Sequence, residues 1–142
     1  MVDSCEDIIS IGGDLKAEVC VFNGELRVDL RQWHPDGYRL KRGLSIGVYV
    51  WGGLISNKDK ITLALDKVKQ KQSINEHILL HNNTYASISS PFELVDVRRY
   101  YHDSNRQLTA GTGIALNAEQ FDRLMNSAMD INQKLEGYGM IM

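Results

Sequence analysis

The sequence predicts an α+β protein: two repeats of a four-stranded antiparallel sheet plus a C-terminal helix, packed as an intramolecular pair. Three observations predict it. First, Val28-Asp29-Leu30-Arg31-Gln32-Trp33-His34 returns 67 residues later as Val95-Asp96-Val97-Arg98-Arg99-Tyr100-Tyr101. Second, each copy runs through a polar turn to a glycine and a short apolar strand, Gly43-Leu44-Ser45-Ile46 and Gly113-Ile114-Ala115-Leu116. An aromatic, Trp51 or Phe121, follows five residues on. Third, halves of about 65 residues are marginal as independent cores, so each is expected to bury its apolar face on the other. A repeat of this kind decides the architecture before any single residue is weighed. The repeats are assigned to 8–71 and 72–142.

The elements follow in order. Ile8 to Ile11 reads as a first strand, ended by Gly12-Gly13. Ala17 to Phe22 is rich in β-formers and runs into Asn23-Gly24, the strongest hairpin signal in the chain. Leu26 to Trp33 alternates cleanly, with Leu26, Val28 and Leu30 on one side and Arg27, Asp29, Arg31 and Trp33 on the other. Pro35-Asp36-Gly37 makes a turn. Tyr38 to Val50 supplies one or two further strands, with Gly43 and Gly47 as breaks. Trp51 to Lys69 is the expected helix, weakened by Gly52 and Gly53 at about 1 kcal/mol each relative to alanine. In the second half, Ile78 to Leu80, Tyr85 to Ile88 and Phe92 to Tyr100 read as strands. Ser89-Ser90-Pro91 is a turn, and Gly111 and Gly113 are expected to flank the last strand. Asn117 can cap a helix with Gln120 reaching back. Phe121, Leu124, Ala128, Ile131 and Leu135 follow at helical spacing, and Gly137 ends the run.

Composition narrows the class. Apolar content of 43% with 24% charged residues argues for a globular core and against disorder. No apolar run approaches membrane-spanning length. Asp3, Glu6 and Asp7 near the start argue against a signal peptide, so an intracellular location is expected: the nucleus, or a site of viral transcription or replication. Cys5 and Cys20 lack metal-type spacing and are expected to be reduced thiols. The net charge is −2, with eleven basic against ten acidic residues in 1–71 and five against eight in 72–142. The first half concentrates Arg27, Arg31, Arg39, Lys41 and Arg42 within sixteen residues. Such a cluster is as readily a solvated face as a binding one.

The strand pattern is the main candidate for function. Arginines beside exposed aromatic rings suit single-stranded nucleic acid, because guanidinium groups neutralise phosphate and unpaired bases stack on rings at about 1–3 kcal/mol each. Asp–Arg ion pairs within each strand, with the aromatics buried, explain the same spacing. His77 and His81, four apart, read as a strand start and loop rather than a helical metal pair. No dinucleotide fingerprint, phosphate loop or nucleophile elbow is present, and no enzyme, cofactor or metal site is expected.

The chain resembles the transcriptional coactivator family called positive cofactor four. The residues that carry this are Val95 to Asp103, Gly113-Ile114-Ala115-Leu116-Asn117, and Glu119-Gln120-Phe121 ahead of a helix. The first half repeats the order with Phe22-Asn23-Gly24, Val28 to Trp33, Arg42-Gly43-Leu44-Ser45-Ile46 and Trp51. The resemblance implies four-stranded curved sheets, a single-chain pseudo-dimer with the helices at its centre, and sequence-independent binding of single-stranded or melted DNA. It carries over Phe22 as the hairpin aromatic, Arg31 and Arg98 as strand arginines, Tyr101 and His34 as the residues beyond them, and Arg42 as the basic residue before the last strand. The departures are Asn23-Gly24-Glu25 in place of a lysine-rich hairpin, Thr112 in place of a lysine, and Gly52-Gly53 in the first helix.

The expected DNA-binding residues are therefore Phe22, Arg27, Arg31, Trp33, His34, Arg39, Lys41 and Arg42, with Arg98, Arg99, Tyr100 and Tyr101 in the second half. The first half is expected to be the stronger binder. The partners expected are single-stranded or unwound DNA, with RNA polymerase or other transcription machinery and further self-association left open. The alternative is a protein-interaction module that docks on a polymerase with little nucleic-acid binding. RNA is a third reading, since stacking platforms do not distinguish the sugar.

Overall fold

The computed structural model describes residues 4–138, except for the side chain of Asp7. Asp3, used above against a signal peptide, lies outside them. Eight strands and four helices run β1 (Ser4–Gly12), β2 (Leu15–Phe22), β3 (Glu25–Trp33), β4 (Arg39–Gly47), α1 (Val48–Ser56), α2 (Lys58–Lys69), β5 (Asn75–His81), β6 (Thr84–Ser89), β7 (Leu94–His102), β8 (Leu108–Asn117), α3 (Ala118–Asn126) and α4 (Ala128–Gly137). They form two antiparallel four-stranded meanders in sequence order, each followed by its helices.

The Asn23-Gly24 hairpin is present, with both residues at positive φ (52° and 78°). This two-residue turn fixes the β2–β3 register from Phe22 opposite Glu25 to Lys16 opposite Arg31. Strand β4 is one continuous strand rather than two. Strand β8 contains Gly111 and Gly113 instead of lying between them.

Those glycines are needed inside their strands. A Cβ on Gly43 would lie 2.9 Å from the Arg31 guanidinium carbon, and one on Gly113 would lie 2.8 Å from that of Arg98. Each arginine lies flat across the cross-strand glycine, which explains why the glycine recurs with the arginine.

Each half ends in two short helices, not the single helix expected, and the first begins at Val48 rather than Trp51. The breaks fall at Asn57 and Ser127, in matching positions. Asn57 Nδ2 donates to Gly53 O at 2.8 Å, and Ser127 Oγ donates to Arg123 O at 3.0 Å. A polar side chain competing for the carbonyl four residues back bends a helix at that point. The capping box of α3 forms as read, with Asn117 Oδ1 accepting from Gln120 N at 2.8 Å and Gln120 Oε1 from Asn117 N at 2.9 Å.

One apolar cluster spans both halves, centred on Trp51 and Phe121, and α1 and α3 pack on β5 and β1 of the opposite half. Trp51 Nε1 donates to Asn132 Oδ1 at 2.7 Å, and Gln120 Nε2 donates to Gly12 O at 3.0 Å, both across the halves. Gly53 does more than weaken its helix. A Cβ there would stand 2.1 Å from Leu80 O, so glycine is what lets α1 approach β5.

The cysteines correct the sequence reading. Cys5 and Cys20 face each other across the β1–β2 ladder and form a disulfide. Their separation of fifteen residues gives no hint of this until the register places them opposite one another.

Candidate nucleic-acid interface

Alternation puts one side of each sheet into the core and leaves the other as an open face. On the first face, Asp29 is buried and accepts both limbs of the Arg31 fork at 3.0 Å. Arg31 Nη1 also reaches the carbonyls of Leu40 and Lys41. Hydrogen bonding to Asp29 holds the Arg31 pKa above its ordinary value despite partial burial. The hairpin register sets Glu18 directly opposite Asp29. Two carboxylates facing each other repel unless cations answer them. Arg31 answers Asp29, and Arg39 donates to Glu18 Oε2 at 2.7 Å.

Trp33 closes this end of the face. Lys16 Nζ lies 4.7 Å from its ring centroid and the Arg39 guanidinium carbon 5.6 Å, both within cation–π range. The Trp33 indole N–H is buried without a hydrogen-bond partner among the described residues. At the other end, Arg27 donates to Ser45 Oγ (2.8 Å), Ser45 O (2.9 Å) and Glu25 Oε1 (2.9 Å). Phe22 is half-buried at the hairpin end of β2, and Lys41 is exposed. His34 lies in the β3–β4 turn, stacked on Tyr38 at 4.5 Å.

The second face repeats the fork: Arg98 grips Asp96 at 3.0 Å through both limbs, and its Nη1 donates to Gly111 O at 2.7 Å. Here too the hydrogen bond to the carboxylate raises the arginine pKa. Beyond it, rings replace cations. His77 stacks on Tyr85 at 4.2 Å, and Tyr100 meets both edge-on at 5.5 and 5.6 Å. His77 Nδ1 pairs with Ser87 Oγ at 2.6 Å. His81 instead contacts Tyr49, so the two histidines diverge. Tyr101 is exposed on the opposite side of β7.

Arg99 crosses between the halves. Arg99 of β7 donates to Ser45 O of β4, the carbonyl that Arg27 also uses. Burial and then the neighbouring Arg27 charge lower the Arg99 pKa. Arg42 lies on the reverse side of β4 from Lys41, away from the cluster to which its sequence position assigned it. It lines a cleft of about 440 Å³ with Gln32, Arg98 and Gln120.

The sequence reading did not place Lys16, Glu18, His77 or Tyr85 in the interface, and weighed His77 only as a metal ligand. In the first half the signal was available: counting back from Asn23-Gly24 places Glu18 opposite Asp29 and Lys16 opposite Arg31. In the second half the β6–β7 connection contains Ser90-Pro91 and has no two-residue hairpin signature, so no count gives the register. No family model, curated protein or solved structure matches the chain.

Proposed function

We propose that the protein binds single-stranded or locally melted nucleic acid, DNA in the first instance, without sequence preference, as a single-chain pseudo-dimer. It acts in transcription in the manner of a positive-cofactor-four coactivator, or in replication or recombination. The observation that carries this reading is the repeated open face, on which a guanidinium lies flat over a strand glycine with an aromatic ring at the next outward position. Trp33 and Tyr100 are the stacking platforms. Lys16 and Lys41 supply phosphate contacts beside Trp33. Arg99, which reaches the opposite half, and Arg42, which lines the cleft between the halves, supply cations at the boundary. Stacking on such rings tolerates any base, and the cations follow the backbone.

The competing reading, a protein-docking module, draws on one observation. Arg31 and Arg98 give their forks to Asp29 and Asp96, and Arg39 is paired with Glu18, so none of the three is a free cation. On the nucleic-acid reading these three set the shape of the face, while the other cations carry the charge.

Tryptophan fluorescence separates the readings. Trp51 is fully buried and Trp33 is not. Adding a single-stranded oligonucleotide is expected to quench emission, and Trp33→Phe is expected to remove the quench while Trp51 still emits. An oligonucleotide that leaves emission unchanged at low salt would favour the docking module.

A further inference from the structure

We propose that the first half carries a redox-gated site for a thiophilic divalent cation, with Cys5, Cys20 and Glu18 as ligands and Zn²⁺ as the ion that fits them. The inference is independent of nucleic-acid binding. The sulfurs of Cys5 and Cys20 and a carboxylate oxygen of Glu18 lie within 4.8 Å of one another. A tetrahedral zinc with bonds of about 2.0–2.3 Å sets its ligand atoms roughly 3.5–3.8 Å apart, so the two sulfurs, bonded to each other in the disulfide, must swing apart to that distance once it is reduced. Thiolate and carboxylate donors are among those zinc takes.

A second observation points at the same spot. Glu18 is 2% exposed, and its Oε1 has no hydrogen-bond partner among the described residues. A buried carboxylate oxygen left unpaired is costly in a low-dielectric interior. Oε2 is already held by Arg39, which orients the carboxylate and leaves Oε1 for an ion. Charge also balances: Glu18 and Asp29 are answered by Arg39 and Arg31, and two thiolates neutralise one divalent cation. Water entering from the side of β1, the edge strand, would fill the fourth position. Its ladder shifts register between Glu6 and Ile9, just beyond Cys5.

In the oxidised state the disulfide occupies the ligands. Two molecules of a thiol reductant convert it to two cysteine thiols, and the reductant leaves as its own disulfide. Zn²⁺ then displaces the two thiol protons to solvent. A small-molecule disulfide reverses the sequence: thiol–disulfide exchange re-forms the Cys5–Cys20 bond, the oxidant takes up two protons and leaves as two thiols, and the ion is released.

The test titrates the full-length protein with Zn²⁺ against a chromophoric chelator, before and after reduction, and with Co²⁺ in parallel. The reduced protein is expected to bind one ion per chain, with thiolate-to-cobalt charge-transfer absorption, and the oxidised protein none. Glu18→Gln is expected to weaken binding at least about tenfold, and Cys5→Ser, on the edge strand, to weaken the charge-transfer band. Circular dichroism reports the fold of each form. A reduced protein that takes up no zinc, or a folded Glu18→Gln variant with undiminished affinity, overturns the proposal.

Discussion

On their inner sides the two halves are close to interchangeable. Trp51 and Phe121, Leu54 and Leu124, Ile61 and Ile131, and Leu65 and Leu135 are buried at matching positions seventy residues apart. On their open faces they diverge. The Cys5–Cys20 bridge of the first half is replaced in the second by Ser89 Oγ donating to Asn75 Oδ1 at 2.8 Å. Glu18 with Arg39 is replaced by Ser87 with His77, and the cations over Trp33 by the rings around Tyr100. The inner sides are constrained by close packing, where a change of one methylene is felt. The open faces are free of that constraint, so any division of labour between the halves belongs there. The Asp–Arg fork over glycine and the aromatic ring two residues beyond it, Trp33 or Tyr100, are common to both faces.

The largest expected effects test the shared core. Trp51→Ala and Phe121→Ala should each lower stability by about 3–5 kcal/mol. Both should act on a single transition in denaturant unfolding followed by circular dichroism. Two separated transitions would mean that the halves fold apart.

The forks should then separate the faces. Asp29 is 1% exposed and Asp96 is 30% exposed. Arg31→Ala strands a buried charge and should cost about 3–5 kcal/mol. Arg98→Ala leaves a carboxylate that water reaches and should cost under about 1 kcal/mol. Equal losses in paired urea melts would erase this asymmetry.

Gly53→Ala comes next. Alanine favours the helix, but its methyl would meet the Leu80 carbonyl, so a net loss of about 1–3 kcal/mol is expected. A gain would show that α1 does not dock closely on β5.

The smallest effect concerns the β7–β8 loop. Backbone donation from Gln107, then from Asn105, and the Thr109 hydroxyl hold the Asp103 carboxyl below its ordinary range. A depressed carboxylate stabilises the fold above its unfolded pKa, and the contribution is lost as pH falls through the lowered value. Asp103→Ala should therefore make the Asn105 and Gln107 amides exchange faster at neutral pH and remove their acid-dependent change. A titration by NMR checks this.

Much of the fold was legible because its signals are local. The alternation of Leu26 to Trp33, the Asn23-Gly24 turn and the Asn117–Gln120 box each depend on neighbours in sequence. The helix breaks were not legible, since Asn57 and Ser127 are ordinary helix-surface residues until their side chains turn back on the preceding carbonyls. The disulfide, the ring cluster of His77 with Tyr85 and Tyr100, the crossing of Arg99 and the placement of Arg42 in a cleft depend on register and on how the sheets meet. Parity along a strand showed which residues share a face. It did not show that Arg31 would bind Asp29 instead of standing free.

The central claim, a binder of unpaired nucleic acid, is tested most directly by fluorescence anisotropy. The ligand is a labelled single strand of about 20 nucleotides, longer than one stacking face covers, measured across a salt series with duplex competitor. The account predicts preference for the single strand and a steep loss of affinity with salt. Replacing Lys41 and Arg42 together by alanine should lower the log–log salt slope by about 1.4 if both contact phosphate. No binding at low salt, or equal binding to duplex, would contradict the account and leave the open faces as surfaces for a protein partner.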